Sequence, residues 1–461
     1  MSETPASTPG AKVAEALRHH HAGRLDEAER IYRQVLALDP HHADSLHLLG
    51  MIAHQTGDQE TAASLIRQAI AANGNAASYH SNLGNVLQAQ GKLAEAGASY
   101  QRALLLKPDL AETHLNLGNI FRAQGDVDSA LACYRRALAL NPDLAEAAIA
   151  ESRALLLKGD FAAGWRNFER RWQTREFDTP RRTYAEPRWD GRPLASGRVL
   201  LWGEQGIGDE IMFAGLIPDA LRTGTRCVLD CDTRLQPLFA RSFPAAEVIS
   251  SSDPASHSPE DIAAQLPSGS LPSLLRTSPE AFADVTSPYL FADPAAKTTL
   301  RNRYRDGRKL VGLAWHTKNK QSGPARSIDL STVAPLFVVP GIRWISLQYG
   351  DHRALQSHAA AASAPLLIDP EIDQLVNIDS FAAQIAAMDL VITIDNSTAH
   401  LAGALGVPTW VLLPFAPDWR WLLDRDDSPW YLGMRLFRQT KPPDWHSVVE
   451  RVARVLTQDF P

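Results

Sequence analysis

Three short stretches of the sequence bring together residue types that do chemistry. In "LLWGEQGIGDE" (200–210), Gly203, Gly206 and Gly208 follow an apolar run and are followed by Asp209 and Glu210. The glycine order is G-x-x-G-x-G, not the G-x-G-x-x-G that brings a pyrophosphate onto a helix start, and a carboxylate at that start repels phosphate. Asp209 therefore has two readings: a general base beside an incoming hydroxyl, or a helix cap, a role Asp fills well. In "DNSTAHLAGALG" (395–406), Asp395, Asn396, Ser397 and Thr398 stand between an apolar strand and a helix of small residues, with His400 near the helix start. Free backbone N–H groups, the positive helix end and two hydroxyls make an anion site there; an ordinary Asn or Ser cap is the plain alternative. In "HTKNKQSGPARS" (316–327), Lys318, Lys320 and Arg326 lie close together. Cations so placed neutralise charge gathering on a departing phosphate, unless the run is only a solvated surface.

Rigid elements must stand behind these stretches. The short apolar runs "RVLLW", "RCVLDCD" and "AEVIS" alternate with helical stretches, and from 309 the pattern recurs in "KLVGLAWH", "RWISLQ", "PLLIDP", "DLVITID" and "PTWVLLP". Such alternation is the signature of βαβ units and parallel sheets. We read two α/β halves, 198–307 and 308–461. The Ser- and Pro-rich stretch 252–279 lies in the first as loops and short strands, and 293–308 bridges the halves. Ligands of open α/β sheets sit outside the carboxyl ends of the strands, so all three stretches are expected to face one cleft. The final "DWHSVVERVARVLTQ" reads as an amphipathic helix that packs back across the domains. "FDTPRRTYAEPRWDGRPLASG" (177–197), rich in Pro, Arg and Gly, reads as a linker.

The chain before the linker is periodic. Windows starting at 9, 43, 77 and 111 align Gly23, Gly57, Gly91 and Gly125 at one position and Ala28, Ala62, Ala96 and Ala130 at another. Tyr32, Ile66, Tyr100 and Tyr134 also stack, as do Leu49, Leu83 and Leu117 with Gly50, Gly84 and Gly118 beside them; Pro40, Pro108 and Pro142 close the units. This spacing resembles the tetratricopeptide repeat, in which paired antiparallel helices stack so that each buries its neighbour's apolar face. A fifth, degenerate unit keeps Gly159 and ends in Trp165, Phe168 and Trp172, so the repeat domain is expected to span 9–176. Asn82, Asn85, Asn116 and Asn119 fall three apart on the first helices of repeats three and four, where Asn is a poor helix former. They form either a row of amides that clamps a peptide backbone or a solvated face. His19, His20, His21, His41 and His42 lack the Cys or carboxylate partners of a metal site and read as solvated positions.

Composition narrows the function classes. A formal net charge of -6 over 461 residues argues against nucleic acid as a partner. Three cysteines make no disulfide framework and fit a reducing compartment. The first ten residues are polar and no stretch approaches the 18 apolar residues of a membrane span, so the expectation is a cytoplasmic protein.

The "GxGDEIMFA" loop, the "DNSTAHLAGALGVP" segment and the two α/β halves resemble the heptosyltransferase-type glycosyltransferases of family 9. With the repeats and "SPWYLGMRLFRQ" added, the whole chain resembles bacterial tetratricopeptide-repeat glycosyltransferases, a group that includes flagellin-modifying enzymes. The resemblance implies a GT-B fold with 198–307 on the acceptor side and 308–461 on the nucleotide-sugar side. It implies Asp209 as catalytic base, Asp395 to His400 as the phosphate-binding segment, and Lys318 or Arg326 as its basic partner. It also implies a metal-independent inverting transfer, without cofactor, from a nucleotide sugar to a protein acceptor such as flagellin or another surface protein. A lipid or saccharide acceptor, or a non-catalytic repeat adaptor with a vestigial sugar-nucleotide fold, are the competing readings. By position in the fold, Gln348 and Tyr349 with Asp379 are assigned to the nucleotide pocket, and Trp419, Arg420 and Trp421 to stacking on sugar or base. The longer "KNKQSGPA" loop and Asn396 and Ser397 at the turn depart from the family and leave the activated sugar open.

Overall fold

Ten helices in antiparallel pairs form the N-terminal part of the computed structural model, which describes residues 8–175, 177, 179–250, 261–319 and 323–459. They are α1 (Pro9–His21), α2 (Leu25–Leu38), α3 (Ala43–Gln55), α4 (Gln59–Ala72), α5 (Ala77–Ala89), α6 (Leu93–Leu106), α7 (Ala111–Ala123), α8 (Val127–Leu140), α9 (Ala145–Leu157) and α10 (Phe161–Phe168). Between paired helices, Gly23, Gly57, Gly91, Gly125 and Gly159 all take positive φ, the left-handed turn that ends a helix. In three of these turns the next residue is Asp58, Asp126 or Asp160, whose carboxylate caps the second helix. The stacked small residues permit close approach: a Cβ on Gly84 or Gly118 would run into the ring of Tyr100 or Tyr134. Both tyrosines are fully buried and bond back to the first helices, Tyr100 to Asn85 at 2.8 Å and Tyr134 to Asn119 at 2.9 Å.

The chain divides into two compact units, Met1–Ala154 and Leu155–Pro461. The end of α9, α10 and the following turn Glu169–Gln173 thus belong by contact to the second unit, although their sequence follows the repeat pattern expected through 176. The reason lies in their aromatics. Trp165 donates to the Arg276 carbonyl at 2.9 Å and packs edge-on to Trp419, while Trp172 packs on Trp202 of the first sheet.

The second unit holds two parallel sheets. The first contains β1 (Arg198–Trp202), β2 (Cys227–Asp230), β3 (Glu247–Ile249) and β4 (Ile262–Pro267) in the order β3-β2-β1-β4. The second contains β5 (Lys309–Ala314), β6 (Ile342–Ser346), β7 (Leu366–Leu367), β8 (Leu390–Ile394), β9 (Thr409–Leu413) and β10 (Met434–Arg438) in the order β10-β9-β8-β5-β6-β7. All pairings within them are parallel. In both sheets three strands wind one way from the first strand and the chain then returns to its other side, so the winding reverses between β1 and β4 and between β5 and β8. β8 and β9 are buried along their whole length and read as continuous apolar runs, as strands covered on both faces do. The last helix, Trp445–Asp459, buries Val448, Val449, Val452 and Leu456 in the core of the second sheet, together with Trp344 and Leu336. Its apolar stripe is satisfied on that sheet, which corrects the expectation that it crosses back over the domains. The bridge between the sheets contains a helix, Pro294–Tyr304, capped by Asp293.

Candidate functional site

The two places where the sheets reverse their winding are where doubly wound sheets hold ligands. Both are built from the stretches that stood out in the sequence. In the first sheet β1 leads into the glycine loop and the helix Ile207–Ala214. In the second, β8 leads into Asp395 and Asn396 and the helix Ser397–Ala404.

Asp209 lies in the first turn of the helix after the glycine loop. Its Oδ2 accepts the Gly206 N–H at 3.3 Å, so the capping reading holds locally. Its Oδ1 accepts a hydrogen bond from Arg420 Nη2, a residue of the second half. From Arg420 a chain of ion pairs continues: Arg420 Nη1 to Asp418 Oδ1 at 2.6 Å, Asp418 Oδ2 to Arg326 Nη2 at 3.5 Å, and Arg326 Nη1 to Asp395 Oδ2 at 3.0 Å. The structure thus joins Asp209, Arg326 and Asp395 through Asp418 and Arg420. Burial works against the charge on Asp418, but Arg420 and Arg326 hold its carboxyl well below the usual carboxylate range. Burial pushes Asp395 up, Arg326 offsets this only in part, and the charge of Asp418 adds to it.

At the helix Ser397–Ala404, Asn396 caps through Oδ1, which accepts the Ala399 N–H at 3.3 Å and the Thr393 hydroxyl at 3.1 Å. The Nδ2 of Asn396 and the hydroxyl of Thr398 are buried and without a hydrogen-bond partner among the described residues. A buried polar atom left unpaired costs about 1–3 kcal/mol, so two of them at a helix start mark a place that favours a ligand with acceptor oxygens. His400 stacks on Trp421 with ring centroids 5.4 Å apart and shares a 2.8 Å hydrogen bond with the Tyr431 hydroxyl. Burial, aided by Arg420, lowers its pKa to about 3, so the imidazole is neutral.

The glycines of the loop make room for the protein's own groups. A Cβ on Gly203 would meet the Glu210 carboxyl at 2.5 Å, and one on Gly208 would meet His400 Cδ2 at 3.3 Å and Ser397 Cα at 3.5 Å. Gly203 makes room for Glu210, and Gly208 lets the two helix starts touch; Gly206 alone of the three is exposed. Glu210 is itself pushed up to about 7 by burial, with its Oε2 accepting the Asp232 N–H at 3.0 Å.

The remaining expectations fare variously. Gln348 is buried and ties loops together from behind: its Oε1 accepts the Trp315 and His316 N–H groups at 3.0 and 2.9 Å, and its Nε2 donates to the carbonyls of His316 and Tyr349. It does not offer its amide to a ligand. Lys318 is exposed, with Nζ 5.8 Å from the centre of the Tyr349 ring, and lies outside the ion-pair chain; Lys320 falls outside the described residues. Asp379 pairs with Arg241 of the first half and has no bond to Gln348 or Tyr349 among the described residues; its helix Ile378–Ala386 packs against Gln236–Ser242, which carries Arg241. In the repeats, Asn82 donates to His47 Nε2 at 2.8 Å, Asn116 donates to Asn85 at 3.0 Å, and Asn85 reaches Asn82 at 3.4 Å. The row is half-buried and cross-linked between repeats, which corrects both the free clamp and the solvated face. Burial lowers His47 to about 4, which keeps it an acceptor for Asn82.

Sequence reasoning missed Asp418 altogether and gave Arg420 a stacking role. The signal was present in "APDWRWLLD", where two opposite charges sit two apart inside an apolar run. It also passed over Arg171. This side chain is 2% exposed, and it donates to both Glu204 oxygens, at 3.0 and 3.1 Å, and to Ser270 Oγ at 2.9 Å.

The chain contains tetratricopeptide repeats, which are followed by a parallel-sheet α/β region. Tetratricopeptide-repeat models match residues 19–85, 75–143 and 115–173. Protein FlbA of Caulobacter vibrioides (strain ATCC 19089 / CIP 103742 / CB 15) is 33% identical over 331 residues, covering 68% of this chain and 54% of that protein. The chain therefore spans about half the length of this curated relative. Among solved structures, MamA is 22% identical with a TM-score of 0.32, covering 34% of this chain and 91% of its own. The tetratricopeptide-repeat protein TTC0263 of Thermus thermophilus is 20% identical with a TM-score of 0.32, covering 37% and 93%. Among the described residues no helix is long and apolar enough to cross a membrane.

Proposed function

We propose that the α/β region is a GT-B glycosyltransferase that moves a sugar from a nucleotide-sugar donor to a hydroxyl of a protein held by the repeats. The observation that carries this reading is the meeting of Asp209, after β1, with the helix start after β8, where Thr398 Oγ1 and Asn396 Nδ2 are buried and unpaired. In the proposed reaction the acceptor hydroxyl gives its proton to Asp209 as its oxygen bonds to the anomeric carbon. The bond from that carbon to the phosphate oxygen breaks from the opposite side, inverting the centre, and the nucleoside diphosphate departs with the bonding electrons. Arg326, the free N–H groups of the 397–404 helix and the Thr398 hydroxyl take up the charge on the leaving oxygens, so the chain itself supplies the electrostatic stabilisation. The repeats supply a protein-binding role, with flagellin or another surface protein as acceptor and the cytoplasm as the place of reaction.

The test is transfer by the purified full chain. Candidate nucleotide sugars are supplied with flagellar or cell-surface proteins, and intact mass is read. A mass increase equal to one sugar that disappears in Asp209→Asn supports the reading; nucleotide binding with neither transfer nor donor hydrolysis supports the adaptor reading instead. That second reading is favoured by one observation, that both oxygens of Asp209 are engaged by protein.

A further inference from the structure

The ion-pair chain at the helix start carries three carboxylates, Asp209, Asp418 and Asp395, against two guanidiniums, Arg420 and Arg326. A crevice whose cations are already matched or outnumbered repels an anion. The orphaned hydroxyl and amide at the same place nevertheless call for one. Both facts hold if one of the ion pairs is exchangeable.

The geometry says which. Asp418 is bound to Arg420 within one turn of chain: its Oδ1 accepts both the Arg420 backbone N–H at 3.2 Å and the Arg420 Nη1 at 2.6 Å. The Arg420 guanidinium also lies 4.4 Å from the Trp419 ring centre, which fixes its plane. Asp209, by contrast, comes from the other half, 211 positions away, and meets Arg420 only through Nη2. Trp421, the next residue, stacks on His400 of the 397–404 helix, and Gly208, the residue before Asp209, lies against Ser397. The Arg420 to Asp209 bond therefore sits at the mouth of the orphaned helix start.

We propose that Arg420 is a phosphate-binding residue which, in the ligand-free chain, is held by Asp209, and that a diphosphate entering the 397–404 helix start takes Nη2 from Asp209. This deepens the glycosyltransferase reading and rests on it. No covalent bond changes in the exchange, and Arg420 keeps its proton. Asp209 Oδ1 loses its partner only when the leaving group is in place, so the donor must bind before the acceptor hydroxyl can find a free carboxylate.

The test is calorimetric titration of the full chain with UDP, GDP, CDP and ADP and with inorganic pyrophosphate. For the diphosphate that wild type binds, Asp209→Asn is expected to bind about tenfold more tightly, because Arg420 no longer has a charged competitor. Arg420→Gln is expected to bind at least tenfold more weakly, and the double variant no more tightly than Arg420→Gln alone. Arg420→Met, which keeps the length of the side chain and loses the charge, stands in if Arg420→Gln does not fold. Unchanged affinity in Asp209→Asn, or the same tightening with Arg420 already removed, overturns the exchange. If in that case Thr398→Val still weakens binding, the diphosphate site stands without it. If wild type binds none of the probes, the site and the exchange fall together.

Discussion

The two sheets of the α/β unit share one winding pattern and end with opposite crevices. Between β1 and β4 the space beyond the strand ends is filled by protein: Arg171 is bound by Glu204 after β1 and Ser270 after β4, and flanked by the rings of Phe168 and Trp172, each 4.9 Å from the guanidinium. Its Nη1 also donates to the Phe168 carbonyl and to Glu169. After β8 two polar atoms, Asn396 Nδ2 and Thr398 Oγ1, are left unpaired among the described residues. Topology places a crevice at both sites, and local side chains decide whether the protein's own arginine fills it. The segment that fills the first crevice is the one that carries the repeat pattern across the unit boundary.

Removing the filler is the strongest test of this contrast. Arg171→Ala leaves Glu204 buried and uncompensated, and breaking a buried pair in this way costs about 3–5 kcal/mol. Urea unfolding followed by tryptophan fluorescence is expected to show a loss of that size. A loss under about 1 kcal/mol would mean that the first crevice is open to water and not sealed.

Glu210 gives the next largest effect. Its carboxyl is raised from 4.5 to about 7 by burial, so the folded chain keeps a proton that the unfolded chain releases. Stability from this group is intact below about pH 4.5 and falls as pH rises towards 7, by roughly 3 kcal/mol at 1.36 kcal/mol per unit. Glu210→Gln keeps the acceptor for the Asp232 N–H and removes the titration. It should raise the melting temperature at pH 8 and leave it nearly unchanged at pH 4.5; an equal gain at both would rule out titration as the cause.

Much of this architecture was legible in the sequence, for reasons that can be named. The helices α1, α3, α5, α7 and α9 start 34 residues apart because one small residue and one left-handed glycine recur with that period. β8 and β9 were legible because a strand covered on both faces is apolar along most of its length, with only Thr393 and Thr409 interrupting the runs. β10 was not read as a strand, since "MRLFR" places charges among its apolar residues and only its pairing with β9 makes it one. The candidate site divides in the same way. Asp395 to His400 announce themselves as a strand followed by a capped helix, whereas Arg420 acquires its role from a partner 211 residues distant. What the three glycines accommodate was not legible, because spacing shows where a side chain is missing but not what fills the space.

The fit in the first crevice yields a smaller prediction. Gly269 follows β4, and a Cβ there would overlap Glu204 Oε1. Gly269→Ala must shift the Glu204 and Arg171 pair and is expected to destabilise by roughly 1–3 kcal/mol, the usual range for overpacking. Diphosphate affinity should not change, because no ligand enters there; a marked loss of affinity would couple two crevices that the contrast treats as separate.

The smallest effect on stability belongs to the second crevice, and there the sign reverses. Thr398 is fully buried and its hydroxyl lacks a partner among the described residues. Thr398→Val replaces that hydroxyl with a methyl group of nearly the same shape, so the free chain loses a desolvated polar group and no hydrogen bond. The expected change is a gain of up to about 1 kcal/mol in unfolding free energy, set against a tenfold or greater loss in diphosphate affinity. A polar group that lowers the stability of the empty fold while strengthening its hold on a ligand separates the second crevice from the first, where Arg171, Glu204 and Ser270 satisfy one another. A loss of stability in Thr398→Val would place an unseen partner on the hydroxyl and make the two crevices alike.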